Sequence, residues 1–227
     1  MTQNGRARVF DDATRALAER IVAKYPNKRS AALPLLFLSQ SVEGYVTEAG
    51  MKEVAGILGL TAAEVLATSS FYTMLKKKPT GEYLISVCRN ISCTHLGAHR
   101  VFGALEERLG IETGATTPDG RFTLESAECL ATCDGAPSMQ VNYEDFYRVS
   151  PESAVEVVDR LMRGDEVLST HGAPVKTHKE ISAETAASGL VSPAESDRER
   201  TIGGESPRMD TAPGTRPKVT GDEGGAA

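Results

Sequence analysis

Four cysteines offer this chain its most distinctive chemistry. Cys88 and Cys93 are separated by four residues, Cys129 and Cys133 by three, and thirty-five residues lie between the pairs. Thiolates are soft, strong metal ligands, and two close pairs are an economical way to present four of them to one centre. Three chemistries suit the pattern. A structural zinc ion takes four thiolates tetrahedrally. A [2Fe–2S] cluster takes two per iron. Two disulfides are the third arrangement, favoured only where the surroundings are oxidising. A thioredoxin-type redox centre needs Cys-x-x-Cys, and a plant-type ferredoxin needs three close cysteines; neither spacing is present.

The chain around these cysteines has 227 residues, 40% hydrophobic and 25% charged, with 25 Lys+Arg against 31 Asp+Glu. That length suffices for one ordinary domain with additions, or for two small ones. A net charge of −6 argues against a nucleic-acid scaffold, since phosphate binding needs a cationic field. The longest apolar run, Ala31–Leu38, falls far short of the roughly 20 residues that span a bilayer, so no membrane insertion is expected. The N-terminus has no apolar stretch of the secretory kind. The expectation is a soluble protein kept in a reducing compartment, where disulfides rarely persist.

The elements that must position the cysteines can be read from periodicity. Residues 10–78 read as a small all-helical module. Ala13, Leu17, Ile21 and Tyr25 fall on one helical face, which Pro26 and Asn27 stop. A second helix starts near Ser30 and tolerates Pro34 in its first turns. Thr47 caps a third that ends at Gly59, and Thr61 with Glu64 forms the capping box of a fourth. From Gly81 the period changes. Glu82–Cys88 reads as a strand, Ala98–Leu109 as a helix and Arg121–Glu128 as a second strand. Ser138–Asn142 and Phe146–Val149 suggest a hairpin around Tyr143, and Pro151 suits the first turn of a last helix. Strand, helix, strand, hairpin, helix is a thioredoxin-like order, so residues 79–164 are expected to form an α/β layer. Each cysteine pair then straddles an element end. Residues 165–227 hold scattered Gly, Pro, Ser and Thr with few large apolar groups, which predicts a disordered tail. A short helix around His178–Ala187 is permitted there but not demanded.

The cysteine region also resembles a known family. Asp119-Gly120-Arg121-Phe122-Thr123, five residues, then Cys129-Leu130-Ala131-Thr132-Cys133-Asp134-Gly135-Ala136-Pro137 is similar to the C-terminal cysteine motif of one NADH:quinone oxidoreductase family. Its members are the small thioredoxin-like [2Fe–2S] subunits of respiratory complex I. Phe71-Tyr72-Thr73 ahead of a basic-Pro-x-Gly stretch, and the strand leading into Cys88 and Cys93, extend the likeness over roughly residues 10–164. Ala131 departs from the glycine usual in the family, and the long tail is a second departure, about which the resemblance says nothing. The resemblance implies a [2Fe–2S] ferredoxin domain preceded by the helical module. Cys88 and Cys93 would bind one iron, and Cys129 and Cys133 the other. It implies electron exchange with FMN held, like the NADH site, by a flavoprotein partner subunit, on the cytoplasmic side of the inner membrane through the complex. The helical module would grip that partner. The corresponding subunit of an NAD-linked hydrogenase or formate dehydrogenase shares the chemistry, and a zinc-stabilised binding module is the alternative from another class.

Other features read more plainly. No G-x-G-x-x-G follows a strand, so no dinucleotide fold is expected in this chain. His95 and His99 stand four apart after Cys93 but lack a third ligand, which predicts solvent-facing or capping histidines. Val54–Val65 is patterned like a helix-turn-helix, yet its second helix, through Ala62–Ser70, has no Lys or Arg to hold phosphates. It is read as a packing pair. Lys76, Lys77 and Lys78 are read as a solvated loop, with docking against an acidic partner as the sharper reading. Phe71 and Tyr72 are expected to be buried at the junction of the two parts. Backbone N–H groups near Gly97 and Gly135 are expected to donate to cluster sulfur, while the acidic net charge and Asp134 lower the potential.

Overall fold

A computed structural model describes residues 8–190. The first part is four helices: α1 (Asp12–Val22), α2 (Ala32–Glu43), α3 (Glu48–Leu58) and α4 (Ala62–Phe71). Local chemistry starts each run. Asp11 accepts from the Thr14 amide at the head of α1, Thr47 caps α3, and both halves of the Thr61–Glu64 capping box form at α4. A 3-10 turn over Lys28–Ala31 leads into α2, which absorbs Pro34 as its third residue. Helix α2 buries Leu35, Leu36, Phe37 and Leu38, a run with no polar face, because other helices surround it. Helices α3 and α4 contribute Val54, Ala55, Leu58 and Val65 to the same core, so the helix-turn-helix pattern is a packing pair here.

The second part is a four-stranded sheet of β1 (Tyr83–Cys88), β2 (Phe122–Ala127), β3 (Met139–Val141) and β4 (Glu144–Phe146), in the order β2-β1-β3-β4. Strands β1 and β2 are parallel, which needs a crossover; α5 (Ile91–His95) and α6 (Ala98–Leu109) supply it. Strand β3 runs antiparallel to β1, β4 antiparallel to β3, and α7 (Pro151–Arg163) follows. Ile85, Val87, Phe122, Leu124, Met139 and Val141 pack with Val101 and Leu105 of α6 and Ala154, Val158 and Leu161 of α7. Each large apolar side chain among them adds about 1.5–3 kcal/mol of burial. Part of the remaining sheet surface is polar. Ser86 Oγ donates to Glu125 Oε1 at 2.8 Å, and Glu125 pairs with Lys76 Nζ at 2.8 Å. Lys76 is therefore an internal tie between the two parts, not a solvated loop residue. Lys77 is tied to the carbonyls of Ser69 and Leu75.

Three further expectations are corrected. The tail does not become structureless at residue 165. Val167 enters the sheet core and its carbonyl accepts from the Val175 amide at 2.8 Å. A capping box at Thr177 then opens α8 (His178–Ala187), which lies against α2. Gln40 Nε2 donates to Ser182 Oγ at 3.1 Å and Lys179 Nζ to the Val42 carbonyl at 3.0 Å. A low average of apolar residues predicts no core of its own. It says nothing about a segment that borrows a finished surface. Residues 191–227 of the expected tail lie outside the described residues.

The hairpin is the second correction. Its turn is Asn142-Tyr143, both at positive φ (48° and 72°), so β4 begins at Glu144 and not at Phe146. Two left-handed residues make the tight turn whose twist suits a hairpin. Asn142 is fixed there because its amide donates to the carbonyls of Glu82 and Lys176, at 2.9 and 2.7 Å, and its Oδ1 accepts from the Leu84 amide. Third, Phe71 and Tyr72 are not buried at the junction: they are 79% and 42% exposed and stack edge to face on each other. They sit where α4 ends, beyond the buried Val65 and Ser69, and no element among the described residues covers them.

Candidate metal centre

Parallel pairing brings the cysteines to one end of the sheet. Cys88, the last residue of β1, is in register with Ala127, the last of β2, and Cys129 follows two residues later. The two strands therefore release their chains side by side. Arg89, just after Cys88, donates its amide to the Ala127 carbonyl at 2.9 Å, and its guanidinium pairs with Glu128, just before Cys129. All four cysteines are free thiols.

The first pair is held by regular structure. Cys88 and Cys93 are 2% and 1% exposed and belong to the hydrophobic core. The Cys88 amide donates to the Ser138 carbonyl at 3.1 Å, and Cys93 Sγ lies 3.6 Å from Ser138 Oγ. Cys93 lies within α5, a single helical turn ahead of α6. That single turn forms because Asn90 Oδ1 accepts from the Ile91 amide and Thr94 Oγ1 donates to the Arg89 carbonyl, both at 2.8 Å. His95 ends α5 and His99 is the second residue of α6, with Gly97 at φ 100° between them. The two exposed histidines therefore do not share a helix face and form no metal grip.

The second pair is held by irregular backbone, and both its cysteines are exposed. Ala131 has φ 60°, and its amide donates to Cys129 Sγ at 3.3 Å. A left-handed alanine costs about 1–2 kcal/mol, a cost that glycine avoids. A 3-10 turn over Cys133–Gly135 follows. Gly135 has no alternative there: an added Cβ would lie 2.4 Å from Tyr147 Cγ, while the Gly135 carbonyl accepts from the Arg148 amide at 2.6 Å.

In the two stretches expected to serve sulfur, the glycine amides themselves are otherwise engaged. Gly97 N–H donates to the Thr94 carbonyl and Gly135 N–H to the Thr132 carbonyl, at 3.1 and 3.0 Å, because both glycines close tight turns. Ala131 supplies the sulfur-directed N–H instead. Sequence reasoning also missed Thr132, whose hydroxyl is buried without a partner. The signal available was a hydroxyl residue lying between two cysteines.

Among the described residues, no three His, Cys, Asp or Glu side chains are gathered closely enough to grip a metal ion. The fold brings the two pairs to one sheet end but leaves one in the core and the other on the surface. The donor set nonetheless fits an iron–sulfur group. Four free thiols come as two pairs, one N–H already points at a sulfur, and a buried hydroxyl beside Cys133 lacks an acceptor.

Comparison with known proteins agrees. Residues 18–162 match the family described as thioredoxin-like [2Fe-2S] ferredoxin. A NADH-quinone oxidoreductase subunit of Mycobacterium tuberculosis is 48% identical over 158 residues, which are 70% of this chain and 63% of that one. The chain thus spans just under two thirds of that relative's length. NADH-quinone oxidoreductase subunit 2 of Thermus thermophilus is 37% identical over 169 residues, 74% of this chain and 93% of that one. Among solved structures, an NAD+-reducing [NiFe]-hydrogenase in the H2-reduced state matches with a TM-score of 0.51 at 21% identity. It covers 57% of this chain and 22% of that one, a likeness of fold. The chain belongs to the thioredoxin-like [2Fe-2S] ferredoxin family, alongside these subunits of NADH-quinone oxidoreductase.

Proposed function

We propose that this chain is the [2Fe–2S] electron-transfer subunit of the NADH-oxidising module of complex I. Cys88 and Cys93 hold one iron and Cys129 and Cys133 the other. The observation that carries this reading is the parallel register of β1 and β2, which releases both cysteine loops at the same sheet end. When bound, such a cluster supplies one-electron chemistry. The chain's own residues hold it. Core packing keeps Cys88 and Cys93 dry, and the Ala131 amide stabilises thiolate charge on Cys129.

The NADH and FMN sites belong to a flavoprotein partner, in keeping with the lack of a dinucleotide motif in the sequence. Exposed apolar side chains beside the candidate centre, Ile91 and Leu96 on and just after α5, suit a protein partner. No single helix among the described residues is long and apolar enough to cross a membrane. Attachment at the cytoplasmic side of the inner membrane is through the complex. The test is iron, zinc and acid-labile sulfide per chain on anaerobically purified protein. Two irons and two sulfides are expected. One zinc without sulfide would make this a structural zinc module and overturn the reading.

A further inference from the structure

Thr132 stands between Cys129 and Cys133, one residue before the second of them. Its side chain is buried, and its Oγ1 has no hydrogen-bond partner. Burying a hydroxyl without a partner is costly, so such groups are rare and usually serve something. The ordinary local use is ruled out: Thr132 opens the 3-10 turn over Cys133–Gly135 but makes no side-chain cap bond. Its carbonyl, by contrast, is used, accepting from the Gly135 amide at 3.0 Å. A threonine hydroxyl has one proton to give. It meets neither flanking thiol in this structure, so the acceptor that a bound cluster would bring to this loop is thiolate or sulfide sulfur.

We infer that the Thr132 hydroxyl donates to a sulfur of the cluster and sets its potential upward. The inference rests on the [2Fe–2S] reading above. Reduction adds one electron, and hydrogen bonds to sulfur stabilise the extra negative charge, so a donor favours the reduced form. The Ala131 amide and the Thr132 hydroxyl would then serve the second cysteine pair from adjacent residues. The first pair has one comparable neighbour, Ser138 Oγ, at 3.6 Å from Cys93 Sγ. Potential tuning would thus be concentrated on the exposed iron.

The experiment compares Thr132→Val, which keeps the shape and removes the proton, with Thr132→Ser, which keeps the hydroxyl. Midpoint potentials are read by redox titration of the full chain, with iron and sulfide measured alongside. Resonance Raman spectra in H2O and D2O report any exchangeable proton on sulfur. Thr132→Val is expected to lower the reduced-to-oxidised ratio at fixed ambient potential about tenfold, or about 59 mV for a one-electron couple. It should also lose part of the deuterium sensitivity of the Fe–S stretches, while Thr132→Ser keeps both near the wild-type values. A valine variant with a full cluster and an unchanged potential would overturn the inference. So would a serine variant that shifts as far as valine. If the valine variant assembles no cluster, serine decides by keeping or losing the wild-type potential and deuterium shift. Absence of iron and sulfide from the wild type would instead overturn the parent reading.

Discussion

The two cysteine pairs reach the same end of the sheet by opposite means. Cys88 and Cys93 sit in the core, on the end of a strand and in a capped helical turn. Cys129 and Cys133 are exposed on a loop whose shape rests on a left-handed alanine and a glycine pressed against Tyr147. The first pair is positioned by packing that the domain needs anyway. The second is positioned by backbone that only the site needs. One pair is therefore enclosed by the fold, while the other lies open at the surface.

Removing single thiols should break this comparison most sharply. Cys129→Ala is expected to abolish the cluster and leave the melting temperature of cluster-free protein unchanged. Cys88→Ala should abolish the cluster and also destabilise the cluster-free chain by about 1–2 kcal/mol, because it opens a gap in the core. Iron and sulfide analysis with thermal melts of both variants checks this; equal melting temperatures would mean that the two pairs are not differently embedded.

Gly135→Ala should come next, costing about 1–3 kcal/mol through overlap with the Tyr147 ring. The double variant with Tyr147→Ala should recover part of that loss. Additive effects in chemical denaturation would show that Gly135 serves something other than this contact.

A pH series separates both pairs from the junction of the helical module. Burial, with Lys76 nearby, pushes His178 down to about 4 despite the opposing pull of Glu125. Tyr143 packs against it at a centroid distance of 6.3 Å. A histidine held neutral in the fold binds fewer protons than in the unfolded chain, whose value is about 6.5. Its share of stability is therefore complete above about pH 6.5 and falls away as pH drops towards 4, by on the order of 2–3 kcal/mol. His178→Leu should flatten this part of the stability curve, measured by melts from pH 7 to 4. A parallel decline in the variant would assign the acid sensitivity elsewhere.

The smallest effect is expected at the ion pair that joins the loops. Arg89 and Glu128 are both well exposed, so Arg89→Ala should move the melting temperature by no more than about 2 °C. A loss of cluster affinity in that variant would show that the clasp matters for assembly and not for folding.

Much of the fold was legible because its signals are local. Capping residues at Thr47 and Thr61, Pro151 in the first turn of α7 and the change of period at Gly81 announce elements that form largely as read. Features that depend on a distant surface were not. Phe71 and Tyr72 have core composition but no cover, and α8 has little apolar content yet finds α2. The hairpin turn moved because Asn142 is pinned by carbonyls just before β1 and near α8, which no local window contains.

At the candidate site, the sequence by itself determined the donors: four thiols in two pairs, their element ends and the family motif around the second pair. Residue type and spacing suffice for that, since ligand chemistry is a property of the side chains. Tertiary structure alone decided which pair is buried, which N–H points at sulfur, and that Thr132 hides an unpaired hydroxyl. Burial and hydrogen-bond satisfaction are properties of what packs alongside, and that neighbour can lie anywhere in the chain.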